Sequence, residues 1–306
     1  MSGLASAGDA SSGRDVLVVA VQTGPAGDDL AGNLEGSGEL AVTAGEADLI
    51  VFPELFARPF WCLGASDPAY FAWAETTEGP VVTFASQLAE RTGATVVAPF
   101  FERGPITGEY YNSAAVVGPD GRLVGGRMPD GRSVDLYRKN SISAFRSQDQ
   151  VNDEKFYFRP GDGYAVFDTP KARIGVLICL DRWYPEAWRV LALAGAEVIC
   201  VVNASQGDVD DLFVPSMRTC AAQNIVHAVA VNKVGTERVG ERSAHYYGQS
   251  CIVEPRGLVV AQAPPDRPAA ISARLDLHSV SRTRLERTYY RDRRPDLFGS
   301  LAGGAS

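Results

Sequence analysis

Short apolar runs rich in Val and Ile recur along the chain: VLVVAVQ from Val16, DLIVFPEL from Asp48, TVVAPFF from Thr95, ARIGVLIC from Ala172, EVICVVNAS from Glu197 and VHAVAVNKV from Val226. Their apolarity is continuous rather than alternating, which predicts strands covered on both faces. Between them PVVTFASQLAERTG, PEAWRVLALAGA and PSMRTCAAQN read as helices opened by Pro80, Pro185 and Pro215. Proline suits a first helical turn, where its missing N–H has no partner to lose. Strands alternating with helices predict an α/β fold.

The pattern also repeats. YYNSAAVVGPDGRLV (Tyr110 to Val124) and YYGQSCIVEPRGLVV (Tyr246 to Val260) align without a gap. Each reads as a β-hairpin with its turn at Pro-Asp-Gly or Pro-Arg-Gly, and each follows a helix and a strand. One domain of two similar halves, each giving a sheet with helices outside, predicts a four-layer αββα sandwich. That domain is placed at residues 15–280, after a small, polar tail at 1–14 that lacks the basic and apolar regions of a signal peptide. The segment 281–306 contains RTYYRDRRPDLFGSL, aromatic and charged without core periodicity, and is expected to dock on a surface, its own or a neighbour's.

Composition narrows the function. The 306 residues are 45% hydrophobic and 22% charged, with a net charge of −8 and a pI near 5.0. Such a chain has no basic stripe for nucleic acid, and the RDRR run at Arg291 to Arg294 is too short to supply one. No apolar stretch approaches the roughly 20 residues that span a bilayer. The five cysteines are odd in number and scattered, and the three histidines lack ligand spacing. Reduced thiols, a cytoplasmic location and no dedicated metal site are expected.

Three residues invite chemistry, each with a plainer role beside it. Cys179 ends the strand ARIGVLIC just before a proline-opened helix, where open α/β sheets place their sites. Peptide N–H groups and a helix dipole there favour a thiolate, although a lone cysteine is more often structural. Glu54 closes the apolar run of VFPEL, where a carboxylate must be paired or functional; Arg58 is the obvious structural partner. Lys139 closes DLYRK, where the commonest role is a surface charge. Spacing alone does not join them, since 85 positions separate Glu54 from Lys139.

Taken in order, FPEL, LYRK and ICLDRWYPEAWR resemble the three signature segments of the nitrilase superfamily of carbon–nitrogen hydrolases, and the likeness spans roughly residues 16 to 299. YNSAAVVGPDG, EKFYFRPGD, GAEVIC, YGQSCIVEPRG and RDRRPDLF look closest to the N-carbamoylputrescine amidases. ICLDRWYPEAWRVLALAGAEVIC and SCIVEPRGLVVA look much like the N-carbamoyl-D-amino acid amidohydrolases. The resemblance implies Cys179 as nucleophile, Glu54 as general base and Lys139 as the cation for the oxyanion. It implies Glu154 as a second glutamate that braces the lysine (its plain role being a loop charge beside Lys155), and the Leu180 N–H in the oxyanion hole. It also implies the αββα sandwich, a homodimer or higher homo-oligomer, and a small-molecule substrate with no metal or organic cofactor.

The implied reaction is cleavage of an N-carbamoyl compound to amine, ammonia and carbon dioxide. An aliphatic amidase or nitrilase would use the same residues, a glutaminase-like ammonia donor would need a synthetase partner, and a silent binding protein would have no reason to keep them together. Two departures matter: KNSIS and NDE lack histidines found in D-carbamoylases, and GGRMPDGRSVDLYRK is longer than the usual hairpin, its extra residues without an assigned role. Three positions after the cysteine stands Arg182, as in D-carbamoylases; carbamoylputrescine amidases usually carry glutamine there. Arg182 is expected either to hold a substrate carboxylate or to pair with Asp181 or Glu186.

Overall fold

The computed structural model describes residues 14–63, 66–146, 151–207 and 210–302. Residues 1–13 of the expected N-terminal tail and 303–306 of the C-terminal segment lie outside the described residues.

Each apolar run is a strand. Asp15–Gln22, Leu49–Val51 and Thr95–Arg103 run parallel in a six-stranded sheet, which Ala269–Asp276 closes on one side and Tyr110–Val117 with Tyr137–Arg138 on the other. Arg173–Ile178, Val198–Val202 and His227–Val231 run parallel in an eight-stranded sheet. Side chains alternate across a strand, so Val18 and Ala20 face the second sheet while Val19 and Val21 face the helices Leu30–Val42 and Pro80–Thr92. Cys200 and Val202 fill the space between the sheets, and Ile199 and Val201 pack under Pro185–Leu193 and Asp210–Asn224. Both faces of both sheets are covered, which is the expected αββα sandwich and the reason the runs lack alternation.

The two halves correspond as strand, helix, strand, helix, strand and hairpin. Gly121 (φ +72°) and Gly257 (φ +84°) take the left-handed position in the two hairpin turns, a conformation open to glycine at little cost. The copies then diverge. Tyr110–Val117 is one continuous strand, whereas the matching stretch is broken at Gly248 and Gln249, both with positive φ, between Arg242–Tyr247 and Cys251–Val253.

Pro80 and Pro185 stand at helix starts as expected, but Pro215 does not: it is the sixth residue of Asp210–Asn224. Its missing N–H leaves the Asp211 carbonyl without a helical partner, which is tolerable because Asp211 is exposed and water can take the bond. Asp210 and Asp211 also suit the positive end of the helix. The unassigned residues before Lys139 now have a place. Gly126–Arg127 and Ser133–Val134 form a hairpin on the edge of the second sheet, beside Val166–Asp168. The chain then crosses to the first sheet, where Tyr137–Arg138 pairs with Tyr110–Val117.

Residue 281 lies inside the helix His278–Glu286, which buries Val280 and Thr283, so the chain leaves the core only after Glu286. Tyr290 then reaches back to bond the Asn224 carbonyl, while Tyr289 and Phe298 stay about half exposed. Among the described residues no helix is long and apolar enough to cross a membrane.

Candidate active site

The strands' carboxyl ends bring Glu54, Lys139 and Cys179 together from three places in the sequence. Glu54 follows Leu49–Val51 by three residues, and its turn is sharp: Leu55 has φ +47°, a left-handed conformation that costs a leucine roughly 1–2 kcal/mol. Lys139 continues the strand Tyr137–Arg138; its N–H donates to the Asn112 carbonyl at 2.9 Å and its carbonyl accepts from the Gly161 N–H at 2.8 Å. A Cβ on Gly161 would sit 2.4 Å from the Arg138 carbonyl oxygen, so the chain can cross this closely only at glycine. Cys179 follows the strand Arg173–Ile178 and opens a 3-10 turn, Cys179–Trp183, at φ +48°. The α-helix begins only at Pro185, so the turn, not the helix, is the thiol's immediate neighbour. Strained backbone of this kind persists where the surroundings over-determine it, and it clusters at functional sites.

The charges are buried. Lys139 and Glu54 are fully inaccessible, and Glu154 is 1% exposed. Lys139 Nζ donates to Glu54 Oε1 at 2.8 Å and to Glu154 Oε2 at 2.6 Å. Glu54 also accepts from Asn112 Nδ2 at 2.7 Å and, through Oε2, from the Ala204 N–H at 3.0 Å. Glu154 Oε1 accepts from Asn152 Nδ2 at 3.0 Å. The plainer roles do not apply: Arg58 is not among the bonded partners of Glu54, and neither Lys139 nor Glu154 is a surface charge.

Burial opposes the Lys139 ammonium, but Glu154 and Glu54 outweigh it and hold its pKa well above the ordinary lysine range. Burial raises the Glu154 pKa against the pull of Lys139. Cys179 is partly exposed, with Sγ 3.9 Å from Ser205 Oγ. Its pKa is pushed up to about 12, first by burial and then by Glu54, against the opposing pull of Lys139 and Arg182. Desolvation and a neighbouring carboxylate thus favour the thiol, against the thiolate that the turn's N–H groups were expected to favour. Leu180 is the next residue in the turn and is partly exposed.

Arg182 is 4% exposed and has no acidic partner among the described residues. Asp181 spends its carboxylate on Tyr137 Oη at 2.6 Å, the Ser141 N–H at 2.8 Å and the Ile178 N–H at 3.2 Å. The guanidinium lies over Trp183 and Phe213, 4.5 and 5.1 Å from the ring centres. Nε donates to Asn203 Oδ1 at 3.1 Å and Nη2 to Ser205 Oγ at 3.4 Å, while the buried Nη1 has no partner among the described residues. A buried guanidinium with no counter-ion and an unpartnered N–H among the described residues, beside a thiol, is suited to an anion.

Reading the sequence missed Asn112, Asn152, Asn203 and Ser205, and the Ala204 N–H, and it offered Asp181 only as a partner for Arg182. A signal existed for three of them: NAS ends the apolar run EVICVV as Glu54 and Cys179 end theirs. Among the described residues no group of three or more His, Cys, Asp or Glu is arranged to hold a metal.

A family model described as carbon-nitrogen hydrolase matches residues 17–285. The N-carbamoylputrescine amidase of Solanum tuberosum is 33% identical over 288 residues, covering 90% of this chain and 91% of that protein. The citrullinase of Francisella tularensis is 33% identical over 265 residues, covering 83% and 86%. The crystal structure of a carbon-nitrogen hydrolase from Helicobacter pylori superposes with a TM-score of 0.83 at 27% identity, covering 94% of this chain and 98% of that one.

Proposed function

The chain belongs to the carbon-nitrogen hydrolase family of amide-hydrolysing enzymes, and on that premise we propose that it is a cysteine-dependent amidohydrolase of N-carbamoyl (ureido) compounds. The observation that carries this reading is the buried Glu54–Lys139–Glu154 cluster beside a partly exposed thiol.

Glu54 takes the Cys179 proton, and the sulfur attacks the ureido carbon, forming the C–S bond as the carbonyl electrons move to oxygen. The Lys139 ammonium and the Leu180 N–H receive that oxyanion. Glu54 returns the proton to the leaving nitrogen, the C–N bond breaks, and ammonia departs from a carbamoyl thioester. Water deprotonated by Glu54 cleaves the thioester, and the released carbamic acid falls apart to amine and carbon dioxide. Glu154 accepts a second bond from Lys139, so the ammonium stays charged throughout.

Arg182 supports an N-carbamoyl acid as substrate. With Nη1 unpartnered and no counter-ion among the described residues, the guanidinium suits a carboxylate, and the same cation would repel an N-carbamoyl diamine. Citrulline carries both a ureido group and a carboxylate, so the likeness to a citrullinase supports this reading; the likeness to N-carbamoylputrescine amidases favours the diamine. Ammonia release from N-carbamoyl amino acids, N-carbamoyl diamines, simple amides and nitriles decides between them. Arg182→Gln should raise KM for the acid about 10- to 100-fold with little change in kcat, because ground-state binding is what it removes. Wild-type preference for carbamoylputrescine, or unaltered acid kinetics in the variant, would give Arg182 a purely structural role.

A further inference from the structure

The turn that carries Glu54 is gripped at its far end by a second buried lysine–glutamate pair. Lys233 and Glu237 are essentially inaccessible and bond at 2.7 Å, Nζ to Oε1. Lys233 Nζ also donates to the Arg58 carbonyl at 2.9 Å. Glu237 accepts from the Phe60 N–H at 3.0 Å through Oε2 and from the Ala26 N–H at 2.9 Å through Oε1. Lys233 Nζ stands 5.6 Å from the centre of the Tyr246 ring. The pair thus ties the loop after the first strand, the turn after the second strand and the hairpin Val234–Tyr247 to one another.

The turn needs such a grip. Leu55 holds a left-handed backbone, and the bond recorded within the turn, Arg58 N–H to the Leu55 carbonyl, is long at 3.3 Å. The Arg58 carbonyl and Phe60 N–H just beyond it are the groups the pair engages. Only a carboxylate accepts from a lysine and two backbone amides at once, whereas an amide side chain has one acceptor oxygen. A buried ion pair is often no more stabilising than hydrocarbon of the same size, so its use here calls for a role in geometry.

We propose that Lys233 and Glu237 are positioning residues for the reaction, locking the Arg58–Phe60 end of the turn so that Glu54 meets Lys139, the Ala204 N–H and the Cys179 thiol in one geometry. The proposal rests on the reading of Glu54 as the base. The informative variants are Glu237→Gln and the double variant Lys233→Met/Glu237→Leu, which removes both charges and leaves neither buried alone. In the full-length enzyme, four quantities are followed: kcat and KM for the preferred ureido substrate, the rate of Cys179 alkylation by iodoacetamide at neutral pH, and the midpoint of thermal unfolding. The double variant should lose kcat by about 100-fold, the scale of a misplacement near 1 Å, with KM little changed. Alkylation should slow with it while the folded state persists at the assay temperature, and Lys233→Arg should keep most of the activity. Parental kcat and alkylation rate in the double variant would overturn the proposal. Glu54→Gln, measured in parallel, separates two failures. Activity retained there overturns the base assignment and this proposal with it. Activity lost there but kept in the double variant overturns the positioning role alone.

Discussion

Lys139 and Lys233 are equally buried and bond to glutamates at nearly equal distances, 2.8 and 2.6 Å against 2.7 Å. They differ in stoichiometry and in what lies beside them. Around Lys233 one ammonium meets one carboxylate, and the remaining bonds go to backbone amides and a carbonyl. Around Lys139 one ammonium meets two carboxylates, so the cluster holds a surplus negative charge, and a partly exposed thiol lies within its field. A surplus carboxylate can accept a proton without stripping the lysine of its counter-ion; a one-to-one pair has none to spare. Identical residue types therefore suit a site in one place and a clamp in the other, and burial alone does not distinguish them.

The largest test of that contrast is at the thiols. Cys179→Ala or iodoacetamide should reduce ammonia release by at least about 10⁴-fold, and EDTA should leave it unchanged. Cys200, fully buried between the sheets, is the control: Cys200→Ala should retain activity and cost about 1 kcal/mol in chemical denaturation. A fully active Cys179→Ala enzyme would end the assignment of the nucleophile.

Lys139→Met comes next. It leaves two buried carboxylates uncompensated, so activity should vanish and about 3–5 kcal/mol of stability with it, read from urea unfolding. The wild-type pH dependence carries the same signature. Because the folded pKa of Lys139 is raised above its ordinary 10.5, its contribution is complete below about pH 10.5 and is lost as the pH climbs through the folded value. Denaturation midpoints that stay flat on the alkaline side would show that the ion cluster contributes nothing net.

A buried group with no ion-pair partner among the described residues should behave in the opposite sense. His227 is 2% exposed, bonds Ser279 Oγ and the Asp276 carbonyl through Nε2, and has its pKa lowered from 6.5 to about 4, chiefly by burial. The unfolded chain then takes up a proton before the folded one does. Stability should fall by about 3 kcal/mol as the pH drops from 6.5 to 4, and His227→Gln should flatten that slope.

The smallest effect on chemistry is expected at the C-terminus. Tyr289, Phe298 and Leu301 line a groove of about 750 Å³ with Val190 and Leu193 of the helix after the cysteine turn, leaving apolar surface open. Truncation after Glu286, which spares the buried helix His278–Glu286, should lower the oligomeric mass in light scattering. A mass unchanged by truncation would show that this segment has no part in assembly.

Much of the frame could be read from local pattern, since burial on both faces of a strand is written directly into residues such as those of VLVVAVQ and EVICVV. Helix starts at Pro80 and Pro185 were equally local. Pro215 was not, because the helix begins five residues earlier, where two aspartates suit its start and water can take the carbonyl that the proline leaves free. Nor could any spacing unite Glu54, Lys139 and Cys179, which only the family resemblance grouped. Glu54 lies in the turn after a strand of one sheet, Cys179 opens the turn after a strand of the other, and Lys139 reaches the gap after the chain has crossed between them. The sequence by itself determined which segments carry apolar faces and where polar residues interrupt them. Only the tertiary structure decided that Glu154 is a buried partner rather than a loop charge, that Asp181 spends its carboxylate away from Arg182, and that burial and Glu54 push the thiol's pKa up. Each of those outcomes depends on distances between segments remote in the chain, and charges interact through space rather than along the backbone.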